Sequence, residues 1–184
     1  MIKAERVFVI IDGSNFYHRL KELSQLTGSL LAFNYSNFVQ WLARDRIIAE
    51  KKYCIGVVRA KPNDLKAQTL RSNQQRLFTK LKRDGWSIAY GYILDTGDGY
   101  HEKGVDVQIS VDLLIGAYEN LYDTAILVSS DTDLLPALSK VRSMKKKIEY
   151  VGFSHKPSLA LITHSDIRRL LTKDELQQFL TDQK

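Results

Sequence analysis

Cysteine, proline and long uncharged apolar runs are all scarce in this sequence of 184 residues. The one cysteine, Cys54, cannot form an internal disulfide, and no Cys/His spacing suggests a zinc site. Three prolines and ten glycines exclude a collagen-like or linker-rich chain. The longest uncharged stretch, 23–43, contains nine Ser, Thr, Asn, Gln or Gly residues and is too polar to span a bilayer. The apolar run at 7–11 is too short for a signal peptide, so we expect a cytoplasmic protein without membrane contact.

The order of apolar runs predicts an α/β fold in a single domain spanning 1–184. Hydrophobic residues make up 44% and charged residues 26% of the chain, as in ordinary globular domains. Five short runs rich in β-branched residues read as strands, at 7–11, 53–59, 87–94, 125–129 and 148–153. Amphipathic stretches between and after them read as helices, at 16–26, 36–49, 66–83, 133–144, 158–163 and 173–182. This alternation predicts a three-layer α/β/α sandwich around about five mostly parallel strands.

The segment 104–118 gives conflicting signals. Its apolar residues alternate with period two, which is typical of a strand. However, parallel strands at 87–94 and 125–129 require a crossover between them, and such crossovers are usually helical. We therefore expect a helix that begins near Gly104.

Carboxylates follow two of the predicted strands directly. Asp12 follows the first strand, and Asp131 and Asp133 follow the strand at 125–129. If these strands are neighbours, their carboxyl ends open on one edge of the sheet, where α/β folds bind ligands. Asp106, at the start of the crossover helix, would reach the same edge. Asp112 lies about 120° further round that helix and is expected to be structural.

Four converging carboxylates repel one another unless a cation lies between them. Their oxygens suit Mg²⁺ or Mn²⁺, and such metals activate water for phosphodiester hydrolysis. The net charge of +6, from 27 Lys and Arg against 21 Asp and Glu, favours a polyanionic partner. The alternative for each aspartate alone is a helix N-cap.

Three segments resemble the signature motifs of the NYN domain family (LabA-like proteins) of the PIN-like nuclease superfamily. They are Ile-Asp-Gly-Ser-Asn at 11–15, Lys-Gly-Val-Asp-Val at 103–107 and Val-Ser-Ser-Asp-Thr-Asp at 128–133, although Thr132 and Leu134 replace the Gly and Phe that the family often has. The resemblance implies a PIN-like sandwich, a site dependent on Mg²⁺ or Mn²⁺ and, as in several members, ribonuclease activity. By matching position it implies Asp12, Asp106, Asp131 and Asp133 as the acidic site, with Asn15 and Lys103 beside it.

Several further residues are candidates for supporting roles. Asn15 could bind a ligand carboxylate or a phosphate, or it could cap a helix. Ser14, Ser129, Ser130 and Thr132 could orient carboxylates or contact substrate. Lys103, Lys61 and Lys66 are candidates for holding RNA phosphates, with solvated lysines as the alternative. Tyr90, Tyr92 and Tyr100 could stack bases or could simply be core or surface tyrosines.

We therefore predict a metal-dependent ribonuclease in which activated water leaves a 3′-hydroxyl and a 5′-phosphate. Two other classes stay open. One is a phosphatase with Asp12 as nucleophile, although such enzymes usually carry a second Asp where Ser14 stands. The other is a non-catalytic nucleic-acid-binding or interaction module. The predicted partner is RNA, and self-association is left open.

Overall fold

The computed structural model describes residues 4–24, 30–58, 63–95 and 100–180. Seven strands form one sheet: β1 (Arg6–Asp12), β2 (Ile47–Val57), β3 (Ser87–Asp95), β4 (Tyr100–Lys103), β5 (Thr124–Val128), β6 (Lys147–Phe153) and β7 (Ile167–Leu171). The helices are α1 (Gly13–Ser24), α2 (Tyr35–Ala43), α3 (Leu65–Arg83), α4 (Val105–Tyr118), α5 (Leu135–Ser143), α6 (Leu159–Thr163) and α7 (Lys173–Gln177). Short 3₁₀ turns occupy Leu30–Ala32 and Thr132–Leu134.

The sheet is parallel except at one edge. Its strand order is β4-β3-β2-β1-β5-β6-β7, and only β4 runs antiparallel to its neighbour. The chain moves outward from β1 through β2 to β3, and then returns across the sheet to place β5 beside β1. The boundary between β1 and β5 is therefore the point where strand order reverses, which is where open α/β sheets bind ligands.

Two apolar cores, one on each face of the sheet, confirm the three-layer architecture. Val7, Val9 and Ile11 of β1 belong to a core with α1, α2 and α3. Phe8 and Ile10 belong to a second core with α4, α5 and α6. Because side chains alternate along a strand, Asp12 at the end of β1 follows the register of Phe8 and Ile10 and lies on the α4 side.

The crossover segment is a helix, as the topology required. The strand-like alternation of α4 arises because the helix carries apolar residues on two opposite faces. Val105, Ile109 and Leu113 are buried at a spacing of four, whereas Val107 and Val111 are exposed at the same spacing. A helix that is apolar nearly all round has no clear periodicity of 3.6, so the pattern alone could not identify it.

The other differences from the sequence predictions lie at element ends and sheet edges. The helix expected at 36–49 ends at Ala43, because Arg44 adopts a positive φ of 54° and the chain then enters β2 at Ile47. The sheet also contains β4 and β7 at its two edges. The sequence did not predict these two strands, because neither Tyr-His-Glu-Lys nor Ile-Arg-Arg-Leu-Leu shows a continuous apolar run. Parts of the helices expected at 16–26 and 173–182 lie outside the described residues. Every helix in the described ranges is too short or too polar to cross a bilayer.

Candidate nucleic-acid-processing site

Asp12 lies where β1 passes directly into α1. Its side chain is only 7% exposed. One carboxylate oxygen accepts the backbone N–H of Asn15 at 3.0 Å and thereby caps α1. The other oxygen accepts the hydroxyl of Ser129 at 2.9 Å. Asp12 therefore caps α1, which was the alternative role considered from the sequence, and it also lies at the carboxyl edge of the sheet.

Asn15 and Ser129 connect the ends of the two central strands. The side-chain oxygen of Asn15 accepts the backbone N–H of Ser130 at 3.1 Å. The Ser129 hydroxyl donates to Asp12 and also accepts the backbone N–H of Asp131 at 3.1 Å. Asn15, in the first turn of α1, and Ser129, directly after β5, thus hold the acidic segments in a fixed relation to each other.

Asp131 begins the 3₁₀ turn that follows β5. Its carboxylate accepts the backbone N–H of Asp133 at 2.9 Å, so Asp131 rather than Asp133 is the capping residue. The side chain of Asp133 is exposed. Asp131 keeps oxygen lone pairs that this hydrogen bond does not use.

Asp106 lies in the first turn of α4, and two glycines determine where that helix begins. Gly104 precedes the helix with φ of +82°, a conformation that favours glycine. A Cβ on Gly91 of β3 would lie 2.5 Å from Cγ2 of Val105 and 2.8 Å from the carbonyl oxygen of Lys103. Only a residue without a side chain allows β3 and the start of α4 to approach this closely, and this approach positions Asp106.

One cleft brings the four predicted aspartates together. It has a volume of about 500 Å³ at the carboxyl edge of the sheet. The residues that line it are Asp12, Tyr92, Lys103, Gly104, Val105, Asp106, Val107, Asp131 and Asp133. Among the described lining residues, four aspartates stand against one lysine, so this part of the cleft is acidic within a protein whose net charge is +6. Tyr92, one of three tyrosines that the sequence could not rank, is the aromatic residue among the described residues that line the cleft.

The donor set suits a hard divalent cation, although the aspartates that share the cleft do not form a preorganised ligand group. Across the described ranges, no three acidic, His or Cys side chains form a ready-made metal-ligand group. Mg²⁺ does not require one, because it keeps several waters and is commonly held by one or two carboxylates together with substrate phosphates. Lone pairs of Asp131 and the exposed Asp133 provide oxygen ligands of the kind that Mg²⁺ and Mn²⁺ prefer.

The remaining residues that were predicted for the site, as far as the structure describes them, do not line the cleft. Ser14 lies in the first turn of α1, and Lys66 is exposed in the first turn of α3; neither lines the cleft. Lys61 lies outside the described residues. Ser129 is fully buried, which favours positioning of Asp12 over contact with substrate. The hydroxyl of its neighbour Ser130 is also buried, and it has no hydrogen-bond partner within the described chain.

Asp112 is a structural residue, as expected. It forms an ion pair with Lys52 at 3.0 Å and accepts a hydrogen bond from Gln108 at 3.1 Å, away from the cleft. Cys54, which pairs with Asp12 in the sheet register, is fully buried. Burial raises the pKa of its thiol well above the usual range, which disfavours the thiolate that nucleophilic chemistry would require.

The fold and the site define a PIN-like α/β domain with an acidic cleft at the switch point. The chain belongs to the NYN domain family, whose sequence profile matches residues 6–169. That family has a PIN-like nuclease fold, is associated with nucleic acids and generally uses divalent metals.

Similarity to one solved structure supports the fold. A Vibrio parahaemolyticus protein of unknown function superposes with a TM-score of 0.72 at 22% identity, with 98% of each chain covered. A pyrazinamidase/nicotinamidase from Streptococcus mutans shares 12% identity over 94% of this chain and 92% of that one, but its TM-score is 0.33. No curated protein matches the sequence.

Proposed function

We propose that this protein is a divalent-metal-dependent ribonuclease that hydrolyses phosphodiester bonds in the acidic cleft. The observation that carries the proposal is the shared position of four carboxylates from three elements. Asp12 comes from the end of β1, Asp106 from the start of α4, and Asp131 and Asp133 from the turn after β5. This cleft lies at the switch point of the sheet in a chain that belongs to a nuclease-like family.

Asp12, Asp106, Asp131 and Asp133 would hold the metal. A bound Mg²⁺ or Mn²⁺ supplies a Lewis acid that lowers the pKa of water and neutralises charge on the phosphate. The chain's own residues orient these ligands: Ser129 holds one oxygen of Asp12, and Asn15 ties α1 to the loop after β5. In-line attack by water in this arrangement leaves a 3′-hydroxyl and a 5′-phosphate.

Basic residues around the cleft would hold the RNA. Lys103 lines the cleft and can contact a phosphate close to the reacting bond. Lys66 is exposed at the start of α3, so we assign it to a more distant phosphate contact. Lys61 lies outside the described residues, and its contact with RNA stays a prediction from the sequence. The LabA-like subfamily and a cytoplasmic location remain predictions from the sequence.

Asp106 and Asp112, two aspartates of α4, allow a controlled test of this proposal. Asp106 lines the cleft, whereas Asp112 is six residues further along the same helix and pairs with Lys52. Purified wild-type protein, Asp106→Asn and Asp112→Asn are incubated with 5′-labelled single-stranded RNA in Mg²⁺, Mn²⁺ or EDTA. We expect metal-dependent cleavage by the wild type, a loss of at least about 100-fold in Asp106→Asn, and a change below about threefold in Asp112→Asn.

The other two classes of protein are distinguished when RNA binding and hydrolysis of a phosphate monoester are measured with the same three proteins. RNA that is bound but not cleaved in either metal indicates the non-catalytic binding module. Turnover of a phosphate monoester without cleavage of RNA indicates the phosphatase. Equal loss of cleavage in both variants, with unchanged melting temperatures, contradicts the assignment of the acidic cleft.

A further inference from the structure

Tyr92 and Lys103 form a side-by-side pair at the wall of the cleft. They lie directly opposite each other in the antiparallel register of β3 and β4. Opposed residues in such a pair project their side chains on the same face of the sheet, with Cβ atoms about 5 Å apart. Both residues line the cleft, as does Asp106 three positions after Lys103. An aromatic ring and a cation therefore stand together beside the acidic site.

The glycine at the start of α4 leaves room for the Tyr92 ring. A Cβ on Gly104 would lie 3.4 Å from Cε1 of Tyr92, so the ring lies against bare backbone on this side. The side chain is nevertheless 51% exposed. Backbone on one side and open cleft on the other leave part of the ring available to a ligand.

Tyr90, on the same strand, has a packing role and provides a comparison for Tyr92. It is 47% exposed, nearly the same fraction as Tyr92. Its ring packs edge-on against Phe78 of α3 with centroids 5.3 Å apart, and the ammonium of Lys82 lies 5.7 Å from the ring centroid. Tyr90 does not line the cleft. The two tyrosines differ in environment rather than in exposure.

We infer that Tyr92 is a base-stacking platform and that Lys103 holds the adjoining phosphate, so that the cleft takes single-stranded RNA with one base unstacked beside the reacting phosphate. This inference rests on the proposed ribonuclease function and deepens it by naming the substrate class. Single-stranded nucleic acid is commonly held by stacking on aromatic side chains together with basic contacts to the backbone. In an A-form duplex the bases are stacked on one another, so their faces are not available to Tyr92.

Binding of a fluorescent RNA tests this inference. The probe is a single-stranded RNA of twelve nucleotides with 2-aminopurine placed at successive positions, in Ca²⁺ to limit turnover. We expect quenching at one position in the wild type and in Tyr92→Phe, which keeps an aromatic ring. We expect Tyr92→Ala to lose that quenching and to bind between about 5-fold and 150-fold more weakly. The matched control, Tyr90→Ala, is expected to keep both quenching and affinity.

Binding of a blunt RNA duplex of the same sequence is the second part of the experiment. Its affinity is expected to be the same in the wild type and in Tyr92→Ala. Unchanged quenching and unchanged affinity for single strands in Tyr92→Ala would overturn the stacking role. It would also be overturned if the wild type bound the duplex as tightly as it binds the single strand. Either result can occur while metal-dependent cleavage persists, so failure of this inference is distinguishable from failure of the ribonuclease proposal. If Tyr92→Ala does not fold, the wild-type quenching profile and the duplex comparison still decide the outcome.

Discussion

Replacement of Ser129 by alanine isolates the hydrogen bonds that position the acidic cleft. The Ser129 hydroxyl is completely buried, donates to Asp12 and accepts the backbone N–H of Asp131. Ser129→Ala leaves a buried carboxylate oxygen and a backbone N–H without this partner. A hydrogen bond to a charged group contributes about 1.5–3 kcal/mol, so we expect a loss of about 2 kcal/mol of unfolding free energy. In a chain of this size that corresponds to a fall of about 4–8 °C in melting temperature.

The adjacent serine provides the control for Ser129→Ala. The Ser130 hydroxyl is buried without a hydrogen-bond partner in the described part of the chain, so Ser130→Ala is expected to change stability by less than about 0.5 kcal/mol. Cleavage of RNA is expected to fall about 10-fold to 100-fold in Ser129→Ala, as is typical when a group that orients metal ligands is lost. Differential scanning calorimetry and initial cleavage rates measure the two effects. Equal stability and equal rates in the two variants would refute the positioning role of Ser129.

Three further experiments test charge at separate places. Asp131→Asn is expected to abolish cleavage yet to preserve or raise the melting temperature in metal-free buffer, because it removes charge from a repelling cluster and its amide oxygen can still accept the backbone N–H of Asp133; a fall of several degrees would contradict this. The hydrogen bonds of Arg6 lower the pKa of Asp123 to about 2, so the ion pair stabilises the fold above about pH 4 and its contribution disappears as the pH falls towards 2. Asp123→Asn is therefore expected to cost about 1 kcal/mol at pH 7, after allowance for solvent screening, and progressively less as the pH falls through 2; a pH-independent difference in urea unfolding would exclude this cause. Lys→Ala at Lys61 and Lys66 is expected to reduce the slope of log affinity against log salt by about 0.7 per lost contact, and an unchanged slope would place the RNA elsewhere.

The central part of the fold was predictable because two independent constraints agreed there. Apolar runs located β1 and β5, and the rule that parallel strands expose their carboxyl ends on one edge brought Asp12 and Asp131 together. The same rule identified α4 as a helix against its strand-like alternation. Edge strand β4 escaped detection, because a strand paired on one side needs no continuous apolar run.

The finer features of the cleft depend on details that residue types do not encode. Ser129 and Ser130 are identical in type and adjacent in sequence, yet only the hydroxyl of Ser129 hydrogen-bonds to Asp12. Tyr90 and Tyr92 are two residues apart on β3, yet of the two only Tyr92 lines the cleft. Tyr90 packs against Phe78 of α3, whereas Tyr92 lies beside Gly104 at the start of α4, and these neighbours are a property of the assembled fold.

Binding of Mn²⁺ tests most directly the claim that the acidic cleft is a divalent-metal site. Electron paramagnetic resonance of free Mn²⁺ during titration gives the affinity without relying on cleavage. We expect the wild type and Asp112→Asn to bind Mn²⁺ with similar affinity, and we expect Asp12→Asn to bind at least about tenfold more weakly because one carboxylate charge is removed from the site. Equal binding by the wild type and Asp12→Asn, or no binding by the wild type at millimolar Mn²⁺, would contradict the account.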